Sequence, residues 1–333
     1  MKFLKVKILR AQITNILAAL KLRLLICTPK LFFRKVTLTY MNNYSFDGFG
    51  AQMQRQVSIC AISHKLGMNF LHSPIKDIEI QPSDCIESYA NYLEQANTLF
   101  DFSFFEKAIS FDCEISHVQL GFRQIIFRTF QSWLFRRSML IRVYEIKELV
   151  DANPLIVREI APLLLAKADL DNVESKECIL HYRQGVGNFA IYPGQSIPRE
   201  VKLEDYIQIL QQLMHRVDFS GTVTVLTDAP SSSYLYKPSS YHTVNWEQMP
   251  TYHEGSILIH SQSFEPLLQI GGLIPEIRRG GNPVECFKLM LKCKILLISR
   301  SSFSYLPALL NLNAEVYYPK NFWHTALRDW KIF

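Results

Sequence analysis

A short apolar run that ends in two glycines carries the side chains best suited to hold an anion. The stretch Cys178-Ile-Leu-His-Tyr-Arg-Gln-Gly-Val-Gly187 is typical of a buried strand that breaks into a tight loop. Successive side chains of a strand point to opposite faces, so His181 and Arg183 share a face at its carboxyl end. Arg183 offers a planar fork of donors that fits a phosphate, and Gly185 allows a ligand to approach the backbone. The alternative interpretation is a strand end with a surface arginine.

An earlier glycine pair also lies between a predicted strand and a predicted helix. Val36–Tyr40 is β-branched, Asp47-Gly-Phe-Gly-Ala-Gln-Met53 follows it, and a helix is expected from about Gln52 to Leu66. A second strand, at 69–72, completes a βαβ unit and predicts a parallel sheet. The amides at this helix start can hold an anion or a polar ligand. A βα turn without a ligand gives the same pattern.

Two buried strands of the C-terminal half also end in polar residues. Gly221–Asp228 ends in a Thr-Asp pair, and Lys294–Ser299 runs directly into Arg300-Ser-Ser-Phe-Ser304, where a helix is expected to begin. Hydroxyls and amides at a helix start form an anion site. Capping of the helix is the commoner role of such serines, and both interpretations stand at this point.

The acidic pair Asp169-Leu-Asp171 has the form of a metal–nucleotide motif but lies in an acidic stretch between a helix and a strand. We interpret it as a solvated linker. The seven cysteines include no CxxC pair, so neither a zinc site nor a disulfide framework is indicated, and reduced thiols suit a cytoplasmic protein. The sequence therefore predicts no metal.

The length of 333 residues indicates two domains. The predicted organisation is a basic segment at 1–35, a helix-rich Rossmann-like domain at 36–170 and a Rossmann-like nucleotide-binding domain at 171–333. Within these, residues 84–170 are expected to be mostly helical, 278–283 to form a basic loop and 320–331 to form a final helix.

Charge is concentrated at the N-terminus. Nine of the 36 Lys and Arg precede Asp47, where there is no acid, which leaves 27 basic against 30 acidic residues and a net charge of −3 for the rest. The body of the protein is therefore a poor partner for nucleic acid. The apolar residues Ile13, Ile16, Leu17, Leu20 and Leu24 recur at helical spacing. This pattern predicts an amphipathic helix that lies on an anionic membrane surface, such as the inner face of the membrane. A helix packed on the body is the alternative.

Three of these stretches together resemble one family in order and approximate spacing, over about residues 36–320. The family is that of the α1,2-fucosyltransferases (glycosyltransferase family 11), with their α1,6- and protein O-fucosyltransferase relatives. Gly48-Phe-Gly-Ala-Gln-Met53 is similar to their Gly-x-Gly-Asn-Gln-Met loop. His181-Tyr-Arg-Gln-Gly185 looks like their His-x-Arg-Arg-Gly-Asp motif, and Ile298-Ser-Arg-Ser-Ser-Phe-Ser-Tyr305 like their Ile-x-Asn-Ser-Ser-Phe-Ser-Trp helix start.

The resemblance implies a GT-B architecture, in which two Rossmann-like domains face each other across a cleft. It also implies metal-independent transfer of fucose from GDP-fucose, with inversion, to a hydroxyl of a glycan. Arg183 would act at the β-phosphate, with His181 and Gly185 shaping its loop. The other residues that the resemblance places around the donor are Gly48, Gly50, Gln52, Asp228, Ser301, Ser302 and Phe303.

Three positions depart from the family pattern. Gln184 replaces an arginine, Val186 an aspartate and Ala51 an asparagine. Arg278 and Arg300 are candidates to supply the missing cation. Glu200, Glu204 and Asp205 follow the motif, where acids also commonly begin a helix, so no residue is identified as the general base. A transferase with another donor sugar and a non-catalytic nucleotide- or glycan-binding relative remain alternatives.

Overall fold

The computed structural model describes residues 33–41, 48–78, 87–106, 110–146, 154–166, 168–183, 201–236, 252–253, 256–259 and 261–333. These residues form an α/β protein with parallel sheets of four and six strands. Its contacts divide the chain into unit 1, Met1–Glu79 with Leu93–Ala168, and unit 2, Ile80–Tyr92 with Asp169–Phe333. The chain passes into unit 2 after Ala168, near the boundary expected after residue 170.

The N-terminal sheet has the order β2-β1-β4-β3, and all its neighbouring strands are parallel. Its strands are β1 (Val36–Tyr40), β2 (Asn69–Leu71), β3 (Cys113–Gln119) and β4 (Met139–Glu145). The helices described before residue 168 are α1 (Phe49–Leu66), α2 (Tyr89–Thr98), α3 (Phe122–Leu134) and α4 (Leu155–Leu165), with a 3₁₀ turn at Ser103–Phe105.

The predicted βαβ unit is confirmed as β1, α1 and β2. All five residues of β1 are buried, and β1 pairs with β2 in parallel. Helix α1 ends where Gly67 adopts a left-handed φ of 71°, and the Gly67 amide donates to the His64 carbonyl. Glycine takes this conformation without steric cost, which is why the helix ends there.

The expectation of a mostly helical segment at 84–170 is wrong, because β3 and β4 lie inside it. Helix α3 turns into β4 through Arg136, which has a φ of 54°. Non-glycine residues seldom adopt positive φ, so no glycine or proline marks this turn in the sequence. From the sequence alone, the largely apolar residues 139–143 therefore favour continuation of the helix, whereas in the structure they belong to β4.

The C-terminal sheet has the order β10-β6-β5-β11-β12-β13, with every neighbouring pair parallel. Its strands are β5 (Cys178–Tyr182), β6 (Thr222–Thr227), β10 (Ile274–Arg279), β11 (Ile295–Leu297), β12 (Glu315–Tyr318) and β13 (Lys331–Ile332). The chain segment that connects β6 to β10 contains a small antiparallel sheet. Its strands are β7 (Tyr234–Tyr236), β8 (Tyr252–His253) and β9 (Ser256–Ile259). Helices in the described residues of this half are α5 (Leu203–Met214), α6 (Glu265–Leu268), α7 (Pro283–Lys292) and α8 (Ser302–Leu310).

Without the antiparallel insertion, the strands of the C-terminal sheet follow the order 3-2-1-4-5-6 of a Rossmann sheet. One face of its central strand β5 is covered by helix α5. The buried residues of this core include Cys178, Leu180, Tyr182, Leu203, Tyr206, Leu210, Val223, Val225 and Leu297. Alternation along β5 then turns Ile179 and His181 to the opposite face.

Two further expectations for the C-terminal half are wrong. Residues 278–279 continue strand β10, and the loop begins only at Gly280, where φ is 69°. Pro275 argues against a central strand, because proline has no amide hydrogen to donate. Strand β10 is an edge strand of the sheet, where a proline is tolerated. Residues 320–331 form turns that lead into β13 instead of a helix. The Phe333 amide donates to the Tyr318 carbonyl of β12, and the Lys320 amide donates to the Phe333 carbonyl.

Helices of the described part of the chain are all too short or too polar to cross a bilayer.

Candidate functional site

The site predicted in unit 2 lies at the topological switch point of the C-terminal sheet. Strands β5 and β11 are neighbours, and the chain proceeds outward from β5 to β6 and from β11 to β12. Crevices at the carboxyl ends of such strands are where open α/β sheets bind ligands. Arg183 follows β5, Asp228 follows β6, and the Ser299–Ser304 segment follows β11.

Arg183 connects the three strand ends. Its Nη1 donates to Ser301 Oγ at 2.8 Å, and its Nε lies 3.8 Å from Asp228 Oδ2. The side chains of Arg183 and Asp228 are 21% and 22% exposed, so the pair is accessible to a ligand and partly shielded from water. The structure therefore brings together three residues that the sequence assigned to one ligand.

Ser301 has the capping role that the sequence left open, and its hydroxyl also bonds to Arg183. It is the N-cap of α8, in extended conformation, and its Oγ accepts from the Phe303 amide at 3.3 Å. The same oxygen accepts from Arg183. The guanidinium is thereby fixed at the positive end of the α8 dipole, where an anion is favoured. Ser302 is half-buried and its hydroxyl lies 3.1 Å from His324 Nε2.

His181 is buried behind the arginine. Its Nδ1 lies 2.8 Å from Ser299 Oγ, and its ring packs 5.3 Å from the ring of Phe303. Burial, and to a lesser extent the Arg183 charge, lowers the pKa of His181 from its usual 6.5 to about 3. The imidazole is therefore neutral at physiological pH, and it contacts the segment after β11 through Ser299 and Phe303. Phe303 reaches the site through this contact.

The two arginines considered as substitutes for the missing cation have other partners. Arg300 donates through Nε and Nη2 to the Lys320 carbonyl, and burial lowers its pKa. Arg278 pairs with Glu276 at 2.7 Å on strand β10, two strands away from β5. Neither contact directs its guanidinium to Arg183.

Arg279 is a candidate that sequence reasoning missed, although the Arg-Arg pair was visible. Its Nη1 donates to the Ala229 carbonyl at 2.9 Å, directly after Asp228, and its guanidinium lies 5.0 Å from the Phe264 ring centroid. Arg279 and Phe264 line a cavity of about 390 Å³ together with Ser231 and Gln262. Tyr182, the last residue of β5, donates to Gln262 at 3.3 Å, so the cavity is joined to the switch-point strand.

The candidates of unit 1 form a different arrangement. Gly48 is the N-cap of α1 with a φ of −65°, and its carbonyl accepts from the Ala51 and Gln52 amides. Gly50 is buried inside the helix. Gln52 is fully buried; its Nε2 donates to the Asp77 carbonyl at 2.6 Å and its Oε1 accepts from Tyr40 at 3.3 Å. Its side chain thus has a structural function within unit 1.

Some of the residues singled out in the sequence lie outside the described residues. They are Gln184, Gly185, Val186 and Glu200. Glu204 and Asp205 occupy the first turn of α5, where acids favour the helix dipole.

The acidic pair Asp169 and Asp171 lies on the irregular segment before β5, with Asp169 and Asp171 both exposed. Nowhere in the described part of the chain do three His, Cys, Asp or Glu side chains gather as metal ligands would.

The charges and donors at the switch point can bind an anion. A guanidinium held by Ser301 and Asp228 loses little rotamer freedom on binding, and its fork of donors suits phosphate oxygens. The α8 start adds positive potential beside it. Chemically, such a site can hold a phosphate or stabilise a departing one.

The chain was compared with known proteins. It matches none of the protein-family models, and the search of curated proteins found no similar sequence.

Proposed function

We propose that this protein is a metal-independent glycosyltransferase of GT-B type that takes its sugar from a nucleotide diphosphate donor. The observation that carries the proposal is Arg183, held between Ser301 at the start of α8 and Asp228 at the switch point of a Rossmann-ordered sheet. The motif resemblance makes GDP-fucose the donor and a glycan hydroxyl the acceptor.

In this proposal the diphosphate lies against Arg183 and the α8 start. Transfer breaks the bond between the anomeric carbon and the β-phosphate oxygen, and the oxygen of the acceptor hydroxyl forms the new bond from the opposite face with inversion. The acceptor hydroxyl gives up its proton to solvent as this bond forms. The nucleotide leaves with the electron pair of the broken bond, and the Arg183 charge and the α8 dipole stabilise this negative charge. These groups do the work that a metal does in other transferases.

Asp228 and the neighbouring cavity fit the nucleoside. A carboxylate repels phosphate but accepts hydrogen bonds from ribose hydroxyls or from N–H groups of a base. The cavity of about 390 Å³ is within the range of small-ligand pockets, and Phe264 offers it an aromatic wall.

The first test is a thermal-shift screen of the full-length protein with nucleotides and sugar nucleotides. GDP and GDP-fucose should raise the melting temperature more than the corresponding uridine and cytidine compounds, because binding to the native state alone stabilises it. If another nucleotide alone raises the melting temperature, the donor is a different sugar nucleotide. No shift with any nucleotide diphosphate would contradict the site.

The second test separates a transferase from a binding relative. Purified protein should hydrolyse the donor slowly without an acceptor, and the rate should persist in excess EDTA. Restoration of an EDTA-sensitive rate by Mn²⁺ or Mg²⁺ would contradict the metal-independent mechanism. Donor binding without any hydrolysis or transfer would identify a non-catalytic relative.

A further inference from the structure

Helix α3 leaves most of its large apolar side chains exposed, which is unusual for a helix packed on a sheet. Phe130 and Trp133 are 53% and 54% exposed, and the next residue after the helix, Phe135, is 62% exposed. The buried side chains of the opposite face are Ile125 and the polar Thr129 and Ser132. Packing of this helix on unit 1 therefore buries one isoleucine and leaves a larger set of apolar side chains facing outward.

The exposed side chains form one continuous face, which we call the α3 aromatic face. Helical residues advance by about 100° each, so the set lies within an arc of about 120°. Its members are Ile126, Phe127, Phe130, Trp133 and Leu134, each at least 46% exposed. Apolar surface gathered in this way marks an interaction site, whereas scattered exposed residues would not.

The charge carried by α3 and the residues that flank it in sequence is positive. Residues 121–137 contain four arginines and no acid. Arg123, Arg136 and Arg137 are exposed, and Arg128 is half-buried with its guanidinium 5.5 Å from the Phe127 ring centroid. The face thus combines tryptophan, phenylalanine and arginine, the composition of segments that lie in a membrane interface.

We propose that the α3 aromatic face is a docking surface for an anionic lipid bilayer, with α3 parallel to the membrane plane. The aromatic rings enter the boundary between headgroups and acyl chains, and the arginines pair with lipid phosphates. This contact is separate from the basic segment at 1–35 and from the proposed nucleotide site. It would hold unit 1 itself against the membrane.

Charge favours a bilayer over two occupants that the chain itself could supply, its N-terminal segment and a second copy of α3. The segment before Asp47 has an apolar stripe, but it carries nine cations and no acid, so on this face it would meet four arginines. A second copy of α3 would likewise place arginines against arginines. Like charges at close range disfavour both contacts, whereas anionic headgroups complement the face.

The experiment measures where Trp133 lies when the full-length protein is bound to vesicles. Tryptophan fluorescence is recorded with vesicles of phosphatidylcholine, with or without phosphatidylserine, whose acyl chains carry bromine as a contact quencher. Quenching should appear on the anionic vesicles and should fall strongly in Trp133→Phe, which keeps the apolar surface. Trp323→Phe, in unit 2, is the matched control and should leave the quenching unchanged.

A second measurement tests the contribution of the face to binding. The double variant Phe127→Ser, Phe130→Ser should bind anionic vesicles roughly tenfold more weakly, because two aromatic side chains no longer insert into the bilayer. Leu155→Ser removes an apolar side chain of the same unit that is also 53% exposed and should bind as the wild type does. Arg123→Glu should weaken binding more than Lys76→Glu, an exposed cation away from α3.

Three outcomes would overturn the proposal. Bound protein whose quenching is the same in Trp133→Phe would show that the N-terminal segment alone holds the membrane. A lower melting temperature of the double variant without vesicles would show that the face is covered within the chain. A dimer in solution that the double variant abolishes would assign the face to a second copy.

Discussion

Helix α1 of unit 1 and helix α8 of unit 2 both begin near the carboxyl end of a parallel strand, but they are built differently. At α8 the N-cap is Ser301, whose hydroxyl is shared between the helix and Arg183. At α1 the N-cap is Gly48, which has no side chain, and the first turn contains no acid. The first polar side chain inside the helix, Gln52, bonds inward to Tyr40 and Asp77.

This difference shows which of the two glycine- and serine-marked helix starts can act on charge. The α8 start holds a side-chain cation, a carboxylate and a buried histidine within one cluster. Among the described residues, the α1 start presents backbone groups where the α8 start presents side chains. We therefore expect substitutions in the α8 cluster to change nucleotide binding and substitutions at α1 to change stability.

The largest effect is expected for Arg183→Ala. Loss of a charge-assisted contact to phosphate should weaken GDP binding by about 1.5–3 kcal/mol, and the transfer rate should fall further if charge develops there in the transition state. Calorimetry with GDP measures the first effect. The matched control is Arg216→Ala, which removes an ion-paired arginine near the amino end of β12 in the same unit. Near-normal turnover of a folded Arg183→Ala protein would contradict the site.

A pH dependence should follow from His181. Its pKa is about 3 in the folded protein and near 6.5 when unfolded, so the unfolded state takes up the proton first as pH falls. The free energy of unfolding is therefore unaffected by His181 above pH 6.5. Below pH 6.5 it decreases by up to about 1.4 kcal/mol per pH unit until the pH reaches the pKa of His181 in the folded protein. Urea unfolding across this window measures the slope, which His181→Asn should reduce.

His72 of unit 1 provides the comparison for that slope. Burial also lowers its pKa, but Glu106 and Asp101 oppose the shift. His72→Asn should therefore change the slope less than His181→Asn does. Equal slopes in the wild type and His181→Asn would show that His181 does not titrate in this range.

Gln52→Leu should separate a structural glutamine from a ligand-binding one. Removing its buried hydrogen bonds should lower the free energy of unfolding by about 1–3 kcal/mol and leave GDP affinity unchanged in the folded protein. Gln56→Leu is the matched control, because this buried amide of the same helix donates to the Ser73 carbonyl at 2.9 Å. A loss of donor affinity in Gln52→Leu alone would return Gln52 to the ligand site.

Two substitutions of Ser301 should resolve its shared hydroxyl. Ser301→Ala loses both the cap and the acceptor for Arg183, and should cost about 1 kcal/mol of stability as well as GDP affinity. Ser301→Gly keeps most of the capping preference, so stability should change by only a few tenths of a kcal/mol. If Ser301→Gly binds GDP as the wild type does, the contact with Arg183 contributes nothing to the site.

The smallest effect is expected for Gly48→Ser. Gly48 has a negative φ, and nothing in the described part of the protein lies within 4 Å of an added Cβ. A serine at this N-cap should raise stability by a few tenths of a kcal/mol. Differential scanning calorimetry measures this change. A fall in transfer rate at unchanged stability would mean that a ligand approaches Gly48 more closely than the protein does.

The sequence by itself determined the features that depend on neighbouring residues. The β1–α1–β2 unit, the end of α1 at Gly67 and strand β6 follow from local apolar periods and from the φ that glycine permits. Strand alternation also placed His181 and Arg183 on one face, which the contacts of both with the segment after β11 confirm.

Only the tertiary structure decided which distant residues meet. The order 3-2-1-4-5-6 puts β11 beside β5, and this pairing carries Ser301 to Arg183 across 118 positions of sequence. Strand pairing depends on long-range burial and backbone hydrogen bonds, which no local pattern records. The same holds for Gln52, Arg279 and the α3 aromatic face, because residue type predicts what a side chain can do, whereas packing decides whether it faces the core, a neighbour or the solvent.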